Sequence, residues 1–176
     1  MQLMNYSPEL ENLAKLYAQI ECAGPDPNPS VQTQFQGYGN VITFDNKEDQ
    51  SIISYLKESY ERGKHSYIYD TNTVTGYCYR FKTMVWSQTT AVGCTIEPCQ
   101  ADGRLLTVCL YNPGDVDPQD KPYEKGQSCT KCPSGFACYR NQCRNPSTTV
   151  ATTSSATITS TLQILPFFLL ILQSFV

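Results

Sequence analysis

The sequence predicts an α+β domain followed by a small disulfide-rich module. Two segments in its first half carry apolar residues at helical spacing, and two later segments are β-prone runs with one cysteine each. Four more cysteines follow between residues 129 and 143. The chain has 176 residues, which is enough for one ordinary domain with appendages.

The first helix is predicted to begin at Ser7 and Pro8. Serine is a favoured N-cap, and proline is favoured at the first helical position because its missing N–H would have no partner there. The turn-forming run GPDPNP, residues 24–29, is expected to end the helix. The apolar residues of its core-facing side are Leu10, Leu13, Ala14 and Tyr17.

The second helix is expected to start near Asp49, with Gly63 just past its end. The segment between the two helices, up to Asp45, is predicted to be a loop because it is rich in glycine, asparagine and glutamine. The apolar face of the second helix is formed by Ile52, Ile53, Leu56 and Tyr60.

The later part of the chain contains a predicted β-hairpin with a cysteine on each arm. Its arms are Ala91–Ile96 and Leu105–Tyr111, joined by a connection that holds proline, aspartate and glycine. The segment Lys82–Trp86, in front of this hairpin, is too short for periodicity to decide between helix and strand.

The cysteine content and the charge limit the functional classes. Nine cysteines in a chain of this length are typical of a disulfide framework made in an oxidising compartment, so we expect an exported protein. The 13 basic and 16 acidic residues form no basic stripe, which argues against nucleic acid as a partner. The first 22 residues lack the features of a signal peptide, and we therefore expect an N-terminal segment to be missing from a partial gene model.

The C-terminal end predicts attachment to a cell surface. Residues 146–161 are rich in serine and threonine and carry no charge, which is typical of a solvated stalk. Residues 162–176 are largely apolar but shorter than the roughly 20 residues of a membrane-spanning helix. They fit the removable tail of a glycolipid (GPI) anchor signal, with Ala151 or Ser154 as the attachment site. A short transmembrane segment is the alternative.

Three segments, in this order, resemble the CAP superfamily of cysteine-rich secretory, antigen 5 and venom-allergen-like proteins, particularly those of helminths. MNYSPELENLAKLYAQIEC resembles the family's first-helix segment, and YRFKTMVWSQTTAVGC and LTVCLYNPG resemble its two signatures. The resemblance implies a three-layer α-β-α sandwich, with an incomplete N-terminus, over residues 1–120. It also implies a cysteine-rich hinge module over residues 121–145.

The resemblance also implies a disulfide pattern. Its pairs are Cys22–Cys99, Cys94–Cys109, Cys129–Cys138 and Cys132–Cys143, which leaves Cys78 unpaired. A zinc site would need a second CxxC or histidines at ligand spacing, and a redox pair would need a βαβ setting. Neither pattern occurs in the sequence.

Many CAP domains carry two histidines and two glutamates that can hold a divalent metal. By resemblance these positions fall on Asp26, Gly39, Glu58 and Arg80. Only Glu58 is retained, and arginine offers no lone pair to a metal, so we expect no metal, cofactor or catalytic residue. Arg80 is expected to pair with Glu58, with capture of an anionic ligand or plain solvent exposure as alternatives.

The remaining candidate residues favour a structural role. His65 is the only histidine, and no nucleophile elbow accompanies it, so we expect a surface residue and no hydrolase activity. Four aromatic residues are expected in the core rather than in a ligand site: Tyr55, Tyr60, Phe81 and Trp86.

The functional hypothesis is a non-enzymatic interaction protein, secreted or anchored at a cell surface, that binds a protein or lipid partner. By resemblance to venom-allergen-like proteins of helminths, host contact or immune modulation is the expected setting. The alternative is a carrier of sterol or fatty acid. A metal-dependent enzyme would require a histidine from a missing N-terminal segment.

Overall fold

A four-stranded sheet forms the centre of the structure, a computed structural model that describes residues 1–24, 28–46, 51–76, 79–100 and 102–146. The strand order is β1-β5-β6-β2, with β1 parallel to β5 and the other pairs antiparallel. These strands are β1 (Asn5–Tyr6), β2 (Gly39–Asp45), β5 (Ala91–Pro98) and β6 (Leu105–Asn112). The shorter strands are β3 (Tyr67–Ile68), β4 (Thr73–Val74), β7 (Ala137–Tyr139) and β8 (Gln142–Arg144).

Helix α1 (Pro8–Cys22) covers one face of the sheet by packing against β5 and β6. It begins where the sequence predicts, because the Ser7 Oγ accepts a hydrogen bond from the Leu10 N–H at 3.1 Å and Pro8 takes the first helical position. The buried cluster on this face is Ala14, Tyr17, Ala18, Phe35, Cys99, Leu106, Val108 and Leu110.

The other face is covered by α2 (Ile52–Ser66) and α3 (Tyr79–Met84). Its buried cluster is Val41, Tyr55, Cys94, Cys109 and Tyr111. Because successive strand residues point to opposite faces, even-numbered residues of β6 pack under α1 and odd-numbered ones under α2. The expected α+β, three-layer α-β-α sandwich is therefore confirmed.

The predicted hairpin is present and slightly longer than expected. β5 and β6 pair from Ala91↔Asn112 to Pro98↔Leu105, and the disulfide-bonded Cys94 and Cys109 lie directly opposite each other. The segment left undecided by periodicity, Lys82–Trp86, begins as the end of α3 and leaves the helix after Met84.

Two expectations about local structure are wrong. Residues 39–45 are not a loop, because Val41, Ile42, Thr43 and Phe44 are good strand formers and β6 supplies a partner along the whole of β2. Helix α2 does not end before Gly63 but continues to Ser66. Its expected start near Asp49 lies outside the described residues, and the described helix is capped by Ser51, whose Oγ accepts from the Ser54 N–H at 3.1 Å.

Gly63 lies inside α2 because the next helix packs directly against its backbone. A Cβ at this position would clash with the Phe81 Cβ. The residue is buried, and the Phe81 ring lies 5.7 Å from the Tyr60 ring of α2. Packing of α3 therefore outweighs the usual preference of glycine for a helix end.

The cysteine module is a small hairpin attached to the start of the chain. β7 and β8 are joined by Arg140 and Asn141, whose φ angles of 49° and 64° suit a two-residue hairpin turn. The Leu3 N–H donates to the Cys143 carbonyl at 2.9 Å, and the Cys143 N–H donates to the Met1 carbonyl at 3.0 Å. The segment before β1 thus connects the module to the sheet.

Four disulfides join the elements in the same pairs that the resemblance implies. Cys22–Cys99 links the end of α1 to the end of β5, and Cys94–Cys109 crosses the central hairpin. Cys129–Cys138 and Cys132–Cys143 close the module. Cys78 lies outside the described residues, as do residues 147–176 with both candidate anchor positions, Ala151 and Ser154. Among the described helices, none has the length and apolar character needed to cross a membrane.

We expect Gly63→Ala to destabilise the fold. In an exposed helix alanine would gain about 1 kcal/mol over glycine, but overpacking against Phe81 costs about 1–3 kcal/mol. Urea unfolding should therefore show a loss, whereas the control Gly126→Ala, where no atom lies within 4 Å of the new Cβ, should stay within about 0.5 kcal/mol. Equal or higher stability of Gly63→Ala would contradict the close helix contact.

Candidate functional site

The position expected to hold a family glutamate is closed by backbone packing. Gly39 begins β2, lies opposite Tyr111 of β6 and is buried. A Cβ at this position would lie 2.6 Å from the Gly114 carbonyl oxygen and 2.5 Å from the Thr83 Cγ2. The packing therefore leaves no room for a carboxylate side chain here.

Arg80, at the position expected for a family histidine, bonds to a buried tyrosine. Its Nη1 donates to the Tyr55 hydroxyl at 3.2 Å, and that hydroxyl donates to the Ile42 carbonyl oxygen at 2.8 Å. The side chain is partly buried on α3, facing α2. Arg80 thus bridges the helical layer to the sheet through Tyr55.

Glu58 is expected to pair with Arg80, but its carboxylate contacts a different arginine. Glu58 is exposed on α2 and forms its ion pair with Arg62, one turn further along the same helix. Residues four apart on a helix are neighbours, so this local pair needs no tertiary contact. The fourth position, Asp26, lies outside the described residues.

The other polar side-chain groups around these positions are the hydroxyls of Tyr55 and Tyr111 and the guanidinium of Arg80. Burial, and secondarily the neighbouring Tyr55, raises the pKa of the Tyr111 hydroxyl far above its usual value. The Arg80 guanidinium is permanently protonated and has no lone pair for a metal. Within the described residues, no group of three or more His, Cys, Asp and Glu side chains is placed to hold a metal ion.

His65 and the expected core aromatics lie away from any reactive arrangement. His65 is exposed at the end of α2, with its Nε2 4.0 Å from the Glu61 carboxylate. Tyr55 and Phe81 are buried as expected, while Tyr60 packs against Phe81 and is only partly buried. Trp86 is partly buried too.

An apolar groove is the feature of this face that the sequence did not predict. Its volume is about 810 Å³, and it is open to solvent between β1, β5 and the first turns of α2. No charged side chain lines it. The lining residues are Met4, Tyr6, Ser51, Ile52, Ile53, Leu56, Met84, Val92, Cys94, Ile96 and Tyr111.

Comparison with known families agrees with this fold. The model of the CAP family, described as "Cysteine-rich secretory protein family", matches residues 1–111. The chain belongs to the CAP family. This confirms the resemblance of the three ordered sequence motifs, and it identifies the central sandwich as a CAP domain.

Relatives of this CAP protein include longer mammalian proteins. Mouse peptidase inhibitor 16 is 32% identical over 159 residues, covering 83% of this chain and 30% of its own length. Cysteine-rich secretory protein 1 of Macaca mulatta is 30% identical over 155 residues, covering 83% of this chain and 60% of its own length. The chain therefore spans less than two thirds of either relative.

Solved structures that superpose on this fold include parasite proteins. Venom allergen-like protein 4 of Schistosoma mansoni superposes with a TM-score of 0.56 at 28% identity, over 72% of this chain and 76% of that one. Hookworm platelet inhibitor superposes with a TM-score of 0.61 at 21% identity, over 82% of this chain and 76% of that one. The second likeness supports the fold alone.

We expect the stability of this CAP domain to fall at alkaline pH through Tyr111. Its folded-state pKa is raised, so the folded state keeps the proton while tyrosines of the unfolded chain ionise near pH 10. The stabilisation is therefore present below about pH 10 and declines above it, by about 1.4 kcal/mol per pH unit for this group.

Urea unfolding between about pH 9 and 10.5 measures this effect. Tyr111→Phe should remove the part of the pH-dependent fall in unfolding free energy that comes from this group. Tyr139→Phe, which changes an exposed ring of the module, should keep the full fall. Identical slopes in all three proteins would show that Tyr111 ionises freely in the folded state.

Proposed function

We propose that this CAP protein is a non-enzymatic extracellular binding protein that receives a partner protein in its apolar groove. The observation that carries the proposal is the groove itself, about 810 Å³ of open space without a charged lining residue. The non-enzymatic part rests on the tetrad positions, where Gly39 has no room for a side chain and Arg80 bonds to Tyr55.

The rim of the groove supports a protein partner. Ile53 is 79% exposed at the start of α2, and Tyr6 is 56% exposed on the edge strand β1. Covering an isoleucine side chain is worth about 1.5–3 kcal/mol, and large apolar surfaces left open on a folded domain commonly mark interaction sites. An apolar side chain or helix of a partner would cover both residues at once.

Extracellular display of the protein is the second part of the proposal. The four disulfides fit an oxidising compartment. The uncharged Ser/Thr-rich residues 146–161 and the apolar residues 162–176 have the composition of a stalk and a GPI-anchor tail. Host contact or immune modulation, which the likeness to venom-allergen-like proteins implies, would be one setting for such binding.

A carrier of sterol or fatty acid is the second candidate function. The groove has the size of a small-molecule site, which is about 300–1,000 Å³, and its lining is almost wholly apolar. Its openness favours a protein surface over an enclosed ligand. Binding of a fluorescent fatty acid or of cholesterol, weakened by Ile53→Asp, would favour the carrier.

A photocrosslinking amino acid at position 53 tests the protein partner. On intact cells it should yield a specific crosslinked product that excess unlabelled protein suppresses. The same probe at Val31, which is 71% exposed outside the groove, is the matched control. When unlabelled variants are used to suppress the crosslinked product, Ile53→Asp should compete at least about 10-fold more weakly than Val31→Asp. The reason is that Ile53→Asp loses about 1.5–3 kcal/mol of apolar burial. Equal products from both positions would contradict the proposal.

Surface display is tested by expression in eukaryotic cells behind a secretion signal. A phospholipase specific for glycolipid anchors should release the protein, and deletion of residues 162–176 should send it directly to the medium. Ala151→Trp and Ser154→Trp, made separately, should identify the attachment residue by loss of anchoring. Protein that stays on the cell after phospholipase treatment would support the transmembrane alternative, and retention inside the cell would contradict extracellular display.

A further inference from the structure

A second, smaller pocket lies where the cysteine module meets the start of the chain. Its volume is about 200 Å³, and it is lined on the sheet side by Gln2, Asn5 and Thr90. The module contributes Phe136, Arg144 and Asn145. The two cavities share no lining residue, since Leu3 and Asn5 line the pocket while Met4 and Tyr6 line the groove.

Arg144, at the wall of the pocket, is not paired with any acidic side chain of the described residues. In the part of the chain that the structure describes, the Arg144 Nε is the buried side-chain polar atom that has no hydrogen-bond partner. Arg144 also takes part in none of the ion pairs found there. Arg144 therefore lines the pocket with a charge that no carboxylate of the described residues pairs with.

The backbone holds Arg144 in place without using its charge. Arg144 pairs with Ala137 across the module hairpin, and its guanidinium lies 4.5 Å from the Tyr139 ring centroid. The preceding residue, Cys143, is fixed by its disulfide to Cys132 and by hydrogen bonds to Met1 and Leu3. The guanidinium is thus positioned in advance, which reduces the entropy cost of binding.

The charge around the pocket favours a negative ligand. Residues 121–146 contain five basic side chains and one acidic side chain, whereas residues 1–120 contain eight basic and fifteen acidic ones. No carboxylate lines the pocket. One arginine is the only cation among the lining residues, which matches a singly charged ligand better than a dianionic phosphate.

We propose that this pocket binds a carboxylate. The arginine fork can hold the two carboxylate oxygens, and Gln2, Asn5 and Thr90 supply further hydrogen-bonding groups at the opposite wall. Phe136 provides an apolar surface for the carbon atoms next to the carboxylate. A free small carboxylic acid and the C-terminal carboxylate of a peptide both have this chemistry.

The Nε–H resonance of Arg144 tests the proposal directly. In the ¹⁵N-labelled full chain with its disulfides formed, titration with acetate or with N-acetyl-Ala-Ala should move this resonance saturably. The Arg140 Nε–H resonance is the internal control, because Arg140 also lies over the Tyr139 ring, with its guanidinium 5.3 Å from the centroid, but does not line the pocket. Peptide binding at least about 10-fold tighter than acetate binding would identify a chain terminus as the source, and similar affinities a free acid.

Three results would overturn the proposal. These are an Arg144 resonance that does not move, an Arg140 resonance that moves in parallel, and equal binding of the C-terminal amide of the same dipeptide. Tighter binding of sulfate than of either carboxylate would also overturn it, since the ligand would then be a different class of anion.

Variants separate binding from folding. Arg144→Gln should weaken carboxylate binding at least about 10-fold, which corresponds to about 1.4 kcal/mol, while Arg140→Gln should leave it unchanged. If Arg144→Gln does not fold, Arg144→Lys keeps the charge but not the fork, and it should still weaken binding several-fold; unchanged affinity would contradict the proposal. Ile53→Asp should leave carboxylate binding intact, so a failure of the groove proposal is distinguishable from a failure of this one.

Discussion

The fold depends on the burial of β6 from both sides. From Leu106 to Tyr111 every side chain of this strand is buried, because α1 covers one face and α2 with α3 covers the other. A strand buried on both faces can be continuously apolar, and LLTVCLY has this pattern. The Cys94–Cys109 disulfide fixes β5 to β6, and β5 in turn carries β1, so the groove and the smaller pocket both depend on this strand.

The same packing explains why Gly39 leaves no room for the side chain of a metal ligand. Gly39 and Gly114 bring two backbone segments so close that a side chain at either position would meet the other segment. Tyr111, opposite Gly39 in the sheet, and Tyr55, hydrogen-bonded to Arg80, occupy the adjoining space with phenol groups. These contacts stabilise the packing of the helices on the sheet.

Local rules predicted α1 and the central hairpin because their signals lie close together in sequence. The Ser7–Pro8 cap and the cysteine-bearing strands needed no tertiary information. The prediction that α2 ends before Gly63 was wrong. Glycine is common just after a helix end, whereas here its missing side chain lets Phe81 of another helix pack against α2. The groove was not predictable since its lining comes from five separated segments between Met4 and Tyr111. Likewise, only folding brings Arg144 to Asn5.

Basic and acidic residues are concentrated in different parts of the chain, and this affects how a charged ligand would approach the two cavities. The module carries a positive excess and the sandwich a negative one, so an approaching carboxylate is attracted to one end of the molecule and repelled by the rest. Exposed charges act over a Debye length of about 8 Å at physiological salt, which makes this guidance local to the module. The apolar groove on the other side of β1 has no charged lining residue and attracts by burial alone. A partner that used both sites would therefore be oriented by its charge at the module before its apolar surface reached Ile53.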